Sequence, residues 1–287
     1  MCTTFKYKNC MGRNFDYEVS YDEELRLIES MELYNEYAII GMCTGFIKGY
    51  PLMYEGMNEK GLCCSALAFT GNAVYGDEEE NKINIPAFDF VFQILSSFCS
   101  VDEVKDFLYT NDVNIDNRQY SDEFPNSELH WFVCDKKRGM IIEQTKDGLN
   151  YYWGEVMTNN PPFVDQLKLE DTTQKYMGLY MYSDVPKKYY TRGFETYGLL
   201  GDYTSYSRFS KVKYFKEHLE RYSKDNFNNV TQTFHLLSSV EQIYGLTPVN
   251  DRFEYTIYSV VYDMENLEVY LRFYDDLNYE IRSFSDE

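Results

Sequence analysis

Apolar runs with strand character recur along the chain, separated by turn residues and interrupted by two groups of helix-like segments. Residues 3–8 read as a strand, and Asn9, Cys10, Met11 and Gly12 as a turn into a second strand over 13–18. An apolar strand is expected over 37–44. Two more, over 52–57 and 62–69, are joined by Asn58-Glu59-Lys60-Gly61, where Asn and Gly tolerate the positive φ of a tight turn. Residues 86–98 and 101–109 look helical. Ser100 is placed as the N-cap of the second helix, with Glu103 completing a capping box. A meander follows over 129–134, 140–145 and 149–153. Helical periodicity covers 207–222 and 226–240, and a last hairpin pairs 255–262 with 267–274 around Met264, Glu265 and Asn266. Strands, helices, strands, helices, strands in this order predict an α+β fold with sheets packed on each other and helices outside.

The chain of 287 residues is long enough for a large core, and nothing in it marks a boundary. Proline is scarce, Gly/Ser-rich linkers are lacking, and the acidic stretch 76–82 is short enough to be a solvated loop, so one domain over 1–287 is expected. The start lacks the apolar run of a signal peptide, and no run of about 18 apolar residues occurs, so a soluble cytoplasmic protein is expected. Its 29 tyrosines suit half-buried strands. A net charge of −20 argues against nucleic-acid and anionic-membrane partners, and an anionic small substrate would need a local arginine. The seven cysteines, with no export signal, are read as reduced thiols. Cys63 and Cys64 would face opposite ways on a strand, and without a Cys-x-x-Cys pair a zinc site is not expected. Of the three histidines, His218 and His235 fall in helical segments and His130 in a strand-like run, with no local sign of a Cys-His or Ser-His-Asp triad.

Cys2 offers a different chemistry. Aminopeptidases remove an initiator Met before a small residue, which would leave Cys2 with a thiol and a free α-amine. Such an amine titrates near ~8 and a free thiol near ~8.5, so nucleophile and base would share one residue. A hairpin over 3–18 would fold Arg13, Asn14 and Asp16 back beside Cys2. In a regular strand Arg13 and Asp16 project to opposite sides, so bringing both to the thiol would require a bulge or bend. Further polar segments lie at Gly56-Met57-Asn58-Glu59-Lys60-Gly61-Leu62, at Met157-Thr158-Asn159-Asn160-Pro161, and at Gly201-Asp202-Tyr203-Thr204-Ser205-Tyr206-Ser207-Arg208-Phe209. Taken singly, each could be a turn, a helix start or a surface ion pair.

Together, in this order, and with the meander from Glu128 through Ile142-Glu143-Gln144-Thr145-Lys146, these segments resemble the choloylglycine hydrolase family. This family holds the bile salt hydrolases and penicillin V acylases of the N-terminal nucleophile hydrolase superfamily. The resemblance covers nearly the whole chain. It implies a four-layer αββα sandwich of two antiparallel sheets flanked by helices, loss of Met1, and catalytic positions at Cys2, Arg13, Asp16, Asn159 and Arg208. The Cys2 thiol would attack the amide carbonyl and pass its proton to its own amine, and water would cleave the thioester. Asp16 would orient the amine, Arg13 and Arg208 would favour the ionised thiol, and the Asn159 amide and the Ala68 backbone N–H would hold the oxyanion.

One departure concerns the substrate. Bile salt hydrolases resemble one another in an asparagine where this chain has Ala68, within Leu67-Ala68-Phe69, and penicillin V acylases often carry tyrosine there. Conjugated bile salts are the expected substrates, with penicillin V or another N-acyl amide as the alternative and a non-catalytic binding protein as the reading of another class. Phe15, Phe46 and Ile47 would line an amphipathic pocket able to take a steroid or an acyl chain. No cofactor or metal is implied. The family also implies a homo-oligomer, a tetramer in relatives, although the matching loop over 176–200 looks shortened.

Overall fold

The computed structural model describes residues 1–47, 50–122, 124, 126–170, 196, 199–222 and 227–285. Most of the segment 176–200, singled out above for assembly, lies outside them, as do the side chains of Phe46 and Ile47. Two seven-stranded sheets form the body.

In the first sheet, β1 (Cys2–Tyr7) lies between β12 (Val156–Met157) and β2 (Cys10–Tyr17). The order continues through β14 (Arg252–Asp263), β15 (Glu268–Phe273) and β16 (Glu280–Ser283), with β13 (Thr247–Val249) paired to the start of β14. The second sheet runs β11 (Gly148–Trp153), β10 (Gly139–Thr145), β9 (Leu129–Cys134), β6 (Cys63–Ala68), β5 (Tyr50–Asn58), β4 (Ile39–Ile47), β3 (Glu24–Ile28). Every pairing in these two sheets is antiparallel. A parallel pair, β7 (Ile83–Pro86) and β8 (Val113–Asp116), stands apart.

The period-2 alternation of a strand sorts side chains onto two faces. Ile40, Met42, Met57, Cys63, Leu67, Phe132 and Ile141 of the second sheet turn towards Cys2, Phe15 and Tyr258 of the first, forming the inter-sheet core. Ile39, Cys43, Cys64, Ala66, Trp131 and Val133 turn the other way, onto helices α1 (Phe90–Ser97) and α2 (Val101–Thr110). Cys63 and Cys64 thus face different cores, as the strand reading required. A short helix over 163–170 (α3) follows β12. Helices α4 (Ser205–Tyr222) and α5 (Asn229–Ser238) cover the outer face of the first sheet through Phe209, Val212, Phe234 and Leu237. The layers are α4/α5, sheet, sheet, α1/α2: the αββα sandwich.

Most predicted elements stand where expected, including the turn after Asn58, whose Gly61 has φ +80°. The Ser100 side chain accepts from the Glu103 N–H at 3.2 Å, and Glu103 accepts from the N–H of Cys99 rather than that of Ser100. Two expectations are corrected. The first hairpin turns on Lys8 and Asn9 alone, with Tyr7 opposite Cys10 and Lys8 at φ +52°, so Cys10, Met11 and Gly12 belong to the strand. Gly12 is there for space: a Cβ would stand 2.6 Å from Thr233 Cγ2 of α5. The helix expected from residue 86 begins at Phe90, after a 3₁₀ turn over Ala87–Asp89, and residues 83–86 pair as β7. Among the described residues, no helix is long and apolar enough to cross a membrane.

Candidate active site

Cys2 opens β1, opposite Phe15 of β2, and is buried at 4% exposure. Its side chain shares the inter-sheet face with Arg13 and Phe15, two residues apart on β2. Arg13 Nη2 lies 3.6 Å from Cys2 Sγ. The same guanidinium donates through Nη1 to the Tyr54 carbonyl at 3.0 Å and forms an ion pair with Glu55 of β5. Tyr258 Oη donates to Glu55 Oε1 at 2.7 Å. Burial holds Tyr258 well above the ordinary phenol range, so it is a neutral donor here. Burial works against the Arg13 charge, but the facing Tyr258 and Cys2 outweigh it, and the guanidinium stays protonated.

Asp16 sits on the other face of β2, as alternation demands. Its carboxylate accepts from Thr256 Oγ1 at 2.6 Å and Gln242 Nε2 at 3.0 Å, and lies 3.7 Å from Arg208 Nη1. Its backbone carbonyl, not its carboxylate, approaches the thiol, at 4.0 Å from Sγ. Burial pushes the Asp16 carboxyl up, opposed by Arg208, the chain's terminal amine, Thr256 and Gln242. Arg13 and Asp16 therefore flank Cys2 from opposite faces, one at the thiol and the other on the backbone side. The register shift lies in the pairing with β14, between Thr256 and Tyr258. The irregularity in β2 expected from the sequence is not what joins them.

Arg208, near the start of α4, reaches over the first strand. Its Nη1 donates to the Cys2 carbonyl at 2.6 Å and to Thr3 Oγ1, its Nη2 to Asn159 Oδ1 at 3.0 Å, and its Nε to the Tyr203 carbonyl at 3.0 Å. Asn159 follows β12. Its Oδ1 also accepts from the Cys2 N–H at 2.6 Å, and its Nδ2 donates to the Ala68 carbonyl at 2.8 Å. Since the Phe69 N–H bonds Glu128 on the β9 side, alternation directs the Ala68 N–H and carbonyl away from β9, towards Asn159. The Asn159 amide and the Ala68 N–H thus lie on one side of the strand end. Gln166 of α3 clamps the Asn159 segment, donating to the carbonyls of Asn159 at 2.8 Å and Pro161 at 2.7 Å.

With Met1 in place, Cys2 N is a peptide nitrogen. The terminal amine of Met1 donates to the Asp16 carbonyl at 2.6 Å and pairs with Glu254, which Gln242 links to Asp16. Phe15 stacks on Tyr258 and packs against Tyr54, with centroids 5.0 Å apart in both pairs. Phe46 and Ile47 end β4, their backbones opposite Pro51 and Tyr50. His130 is buried, stacked on Phe69 at 4.2 Å with Nδ1 3.4 Å from Glu143, and burial lowers its pKa. Glu55, Tyr258, Gln166, Gln242 and Glu254 were not legible as site residues. The Glu55 signal is a carboxylate in a strand whose neighbours on the same face are apolar. Among the described residues, no group of three or more His, Cys, Asp or Glu could hold a metal ion.

Comparison with known proteins identifies the family. The profile of the linear amide C–N hydrolases, choloylglycine hydrolase family, matches residues 1–287. The bile salt hydrolase/transferase of Lactiplantibacillus plantarum is 38% identical, over 99% of this chain and 92% of the relative. That of Clostridium perfringens is 32% identical, over 92% and 85%. The C2A variant of the C. perfringens conjugated bile acid hydrolase superposes with a TM-score of 0.89 at 30% identity, covering 100% of this chain and 93% of the other. Penicillin V acylase from Agrobacterium tumefaciens shares the fold, with a TM-score of 0.74 at 18% identity over 99% and 86%. This chain is a linear amide C–N hydrolase and belongs to the choloylglycine hydrolase family.

Proposed function

We propose that this enzyme cleaves the amide bond of glycine- or taurine-conjugated bile salts, with Cys2 as nucleophile once Met1 has been removed. The reading rests on one observation: a chain similar along its whole length to bile salt hydrolases gathers Arg13 at the Cys2 thiol and Asn159, Arg208 and, through Arg208, Asp16 at the Cys2 backbone. In the proposed reaction Sγ attacks the carbonyl carbon while the thiol proton passes to the α-amine of Cys2. The oxyanion takes hydrogen bonds from Asn159 Nδ2 and the Ala68 N–H. The C–N bond breaks as the α-ammonium protonates the leaving amine. Water, deprotonated by the α-amine, then cleaves the thioester and releases the acid. Arg13 keeps positive charge at the sulfur, and Asp16 and Arg208 hold the backbone end of Cys2.

Phe15 begins a row of rings through Tyr17, Tyr21, Phe124 and Tyr120, with successive centroids 5.6 to 6.3 Å apart, and this supports an apolar acyl group. Phe46 and Ile47 belong to the same proposed pocket. Ala68 supplies a backbone donor but neither the side-chain amide of bile salt hydrolases nor the phenol of penicillin V acylases, so this position does not separate the two activities, and penicillin V or another N-acyl amide stands as the second reading. The proposal includes a single domain over 1–287, work in the cytoplasm without cofactor or metal, and homo-oligomeric assembly.

Amine release from glycocholate, taurocholate and penicillin V, each beside a Cys2→Ala control, tests it. Faster release from the two bile salts is expected, with none from the control. Preferential cleavage of penicillin V would transfer the assignment to the second reading. No cleavage above the control would sink the bile-salt and penicillin V assignments alike. Intact mass should show that Met1 is gone, and a purified enzyme retaining Met1 while active would overturn the amine's role.

A further inference from the structure

We infer that Glu55 is a positioning residue for the thiol, acting through Arg13; this rests on the assignment of Cys2 as nucleophile. Glu55 is fully buried on the inter-sheet face of β5, where its same-face strand neighbour Met57 and its β4 neighbour Met42 are apolar and its β6 neighbour Ser65 is a buried hydroxyl. A buried ion pair adds little stability over an apolar pair of like volume, because removing both charges from water offsets their attraction. Stability alone therefore does not account for a carboxylate here.

Geometry does. A guanidinium is a rigid planar fork, so fixing one nitrogen aims the others. Glu55 and the Tyr54 carbonyl take Arg13 Nη1, and Nη2 is left directed at Cys2 Sγ, 3.6 Å away. The Phe15 ring packs on the guanidinium, 5.1 Å from Cζ to the centroid, and Arg13 Nε has no hydrogen-bond partner among the described residues, so the aim within the plane depends on the Nη1 contacts. The carboxylate is itself fixed by Tyr258 Oη. Tyr258 belongs to the first sheet and Glu55 to the second, so the chain Tyr258, Glu55, Arg13, Cys2 crosses between the sheets and back. Glu55 touches neither the thiol nor the substrate in this scheme.

The experiment compares Glu55→Gln, Glu55→Asp, Arg13→Gln and the double variant Arg13→Gln/Glu55→Gln. It reads kcat and KM on the fastest-cleaved amide, thermal midpoint, and the rate at which iodoacetamide modifies Cys2, followed by mass of the N-terminal peptide. Misplacing a reacting group by about 1 Å can cost up to ~100-fold. Glu55→Gln is expected to lower kcat ~10-fold or more with KM within ~2-fold, and to slow Cys2 alkylation comparably. Glu55→Asp keeps the charge but withdraws it by one carbon, and should fall between Gln and the native chain in both rates. The double variant should be no slower than Arg13→Gln alone, because an effect carried by Arg13 disappears with it.

A folded Glu55→Gln chain with native kcat and alkylation rate overturns the inference. So do effects that multiply in the double variant. If Glu55→Gln does not fold, native rates in Glu55→Asp overturn it instead. Alkylation needs no substrate, which separates this idea from the reading beneath it. A Cys2→Ala chain that still hydrolyses overturns the nucleophile, whereas an inactive Cys2→Ala beside an unaffected Glu55→Gln overturns only the role of Glu55.

Discussion

Asn159 uses the two ends of its amide for different sheets. Oδ1 gathers the Cys2 N–H and Arg208 on the first sheet's side, and Nδ2 reaches the Ala68 carbonyl at the end of β6 in the second. One Nδ2 hydrogen is taken by Ala68, and the other is the donor proposed for the oxyanion. Losing such a donor typically costs ~3 to 4 kcal/mol of transition-state stabilisation. Asn159→Ala should therefore lower kcat ~100-fold or more on whichever amide is cleaved fastest, while circular dichroism stays native. A kcat within a few-fold of native would remove Asn159 from the reaction. The sequence showed Asn159 only as part of a Thr-Asn-Asn-Pro turn, and its place beside Arg13, Asp16 and Arg208 came from family resemblance. Glu55 and Gln166 lay outside the segments that carried that resemblance, and their partners are brought to them only by sheet stacking and by the short helix after Pro161.

At the scale of elements, the β1–β2 hairpin shows where pattern reading succeeds and where it slips. Both strands were legible, but Gly12 was taken for a turn residue because glycine so often marks one. Its actual constraint comes from α5, 221 residues further on: Thr233 Cγ2 and Leu237 Cδ1 lie where a side chain would go. Gly12→Ala should destabilise the fold by about 1 to 3 kcal/mol, the usual cost of overpacking a core. Thr233→Ser in the same chain should recover part of it, by removing the methyl and keeping the hydroxyl that donates to the Asn229 carbonyl at 2.8 Å. Urea unfolding of the three chains checks this, and an unchanged midpoint for Gly12→Ala would refute the close packing of α5 on β2. Short strands such as β3, with the burial pattern exposed, half-buried, exposed, half-buried, buried, escaped the reading because only the last residue is fully buried, Leu25 and Leu27 packing on the core while half-exposed. The parallel pair β7 and β8 escaped because Pro86 resembled a helix start.

For the whole molecule, acidity is the dominant trait: 47 acidic residues against 27 basic. Most of that charge is solvated, but Asp89 is buried beside Tyr50 and Gln93, and burial pushes its carboxyl up to about 6. A carboxyl raised in the folded state binds its proton more tightly there than in the unfolded chain. The stability it contributes is complete below its ordinary value of 3.8 and is lost as pH rises through about 6. Asp89→Asn should remove this loss. The unfolding free energy of the variant relative to the native chain should climb between pH 4 and 6.5 and then level, by on the order of 2 to 3 kcal/mol at 1.36 kcal/mol per unit. Equal pH profiles for the two chains would refute it. The layered plan was legible because alternation and turn chemistry agree along the chain; the site was less so, because its parts meet only after the layers stack.

The ion pair between Arg13 and Glu55 and the bond from Asn159 to Ala68 both cross from one sheet to the other beside Cys2. A chain that has formed only one sheet holds a cysteine like any other. The reactivity proposed for this thiol would thus be a property of the finished assembly of layers, arising at the step that joins them.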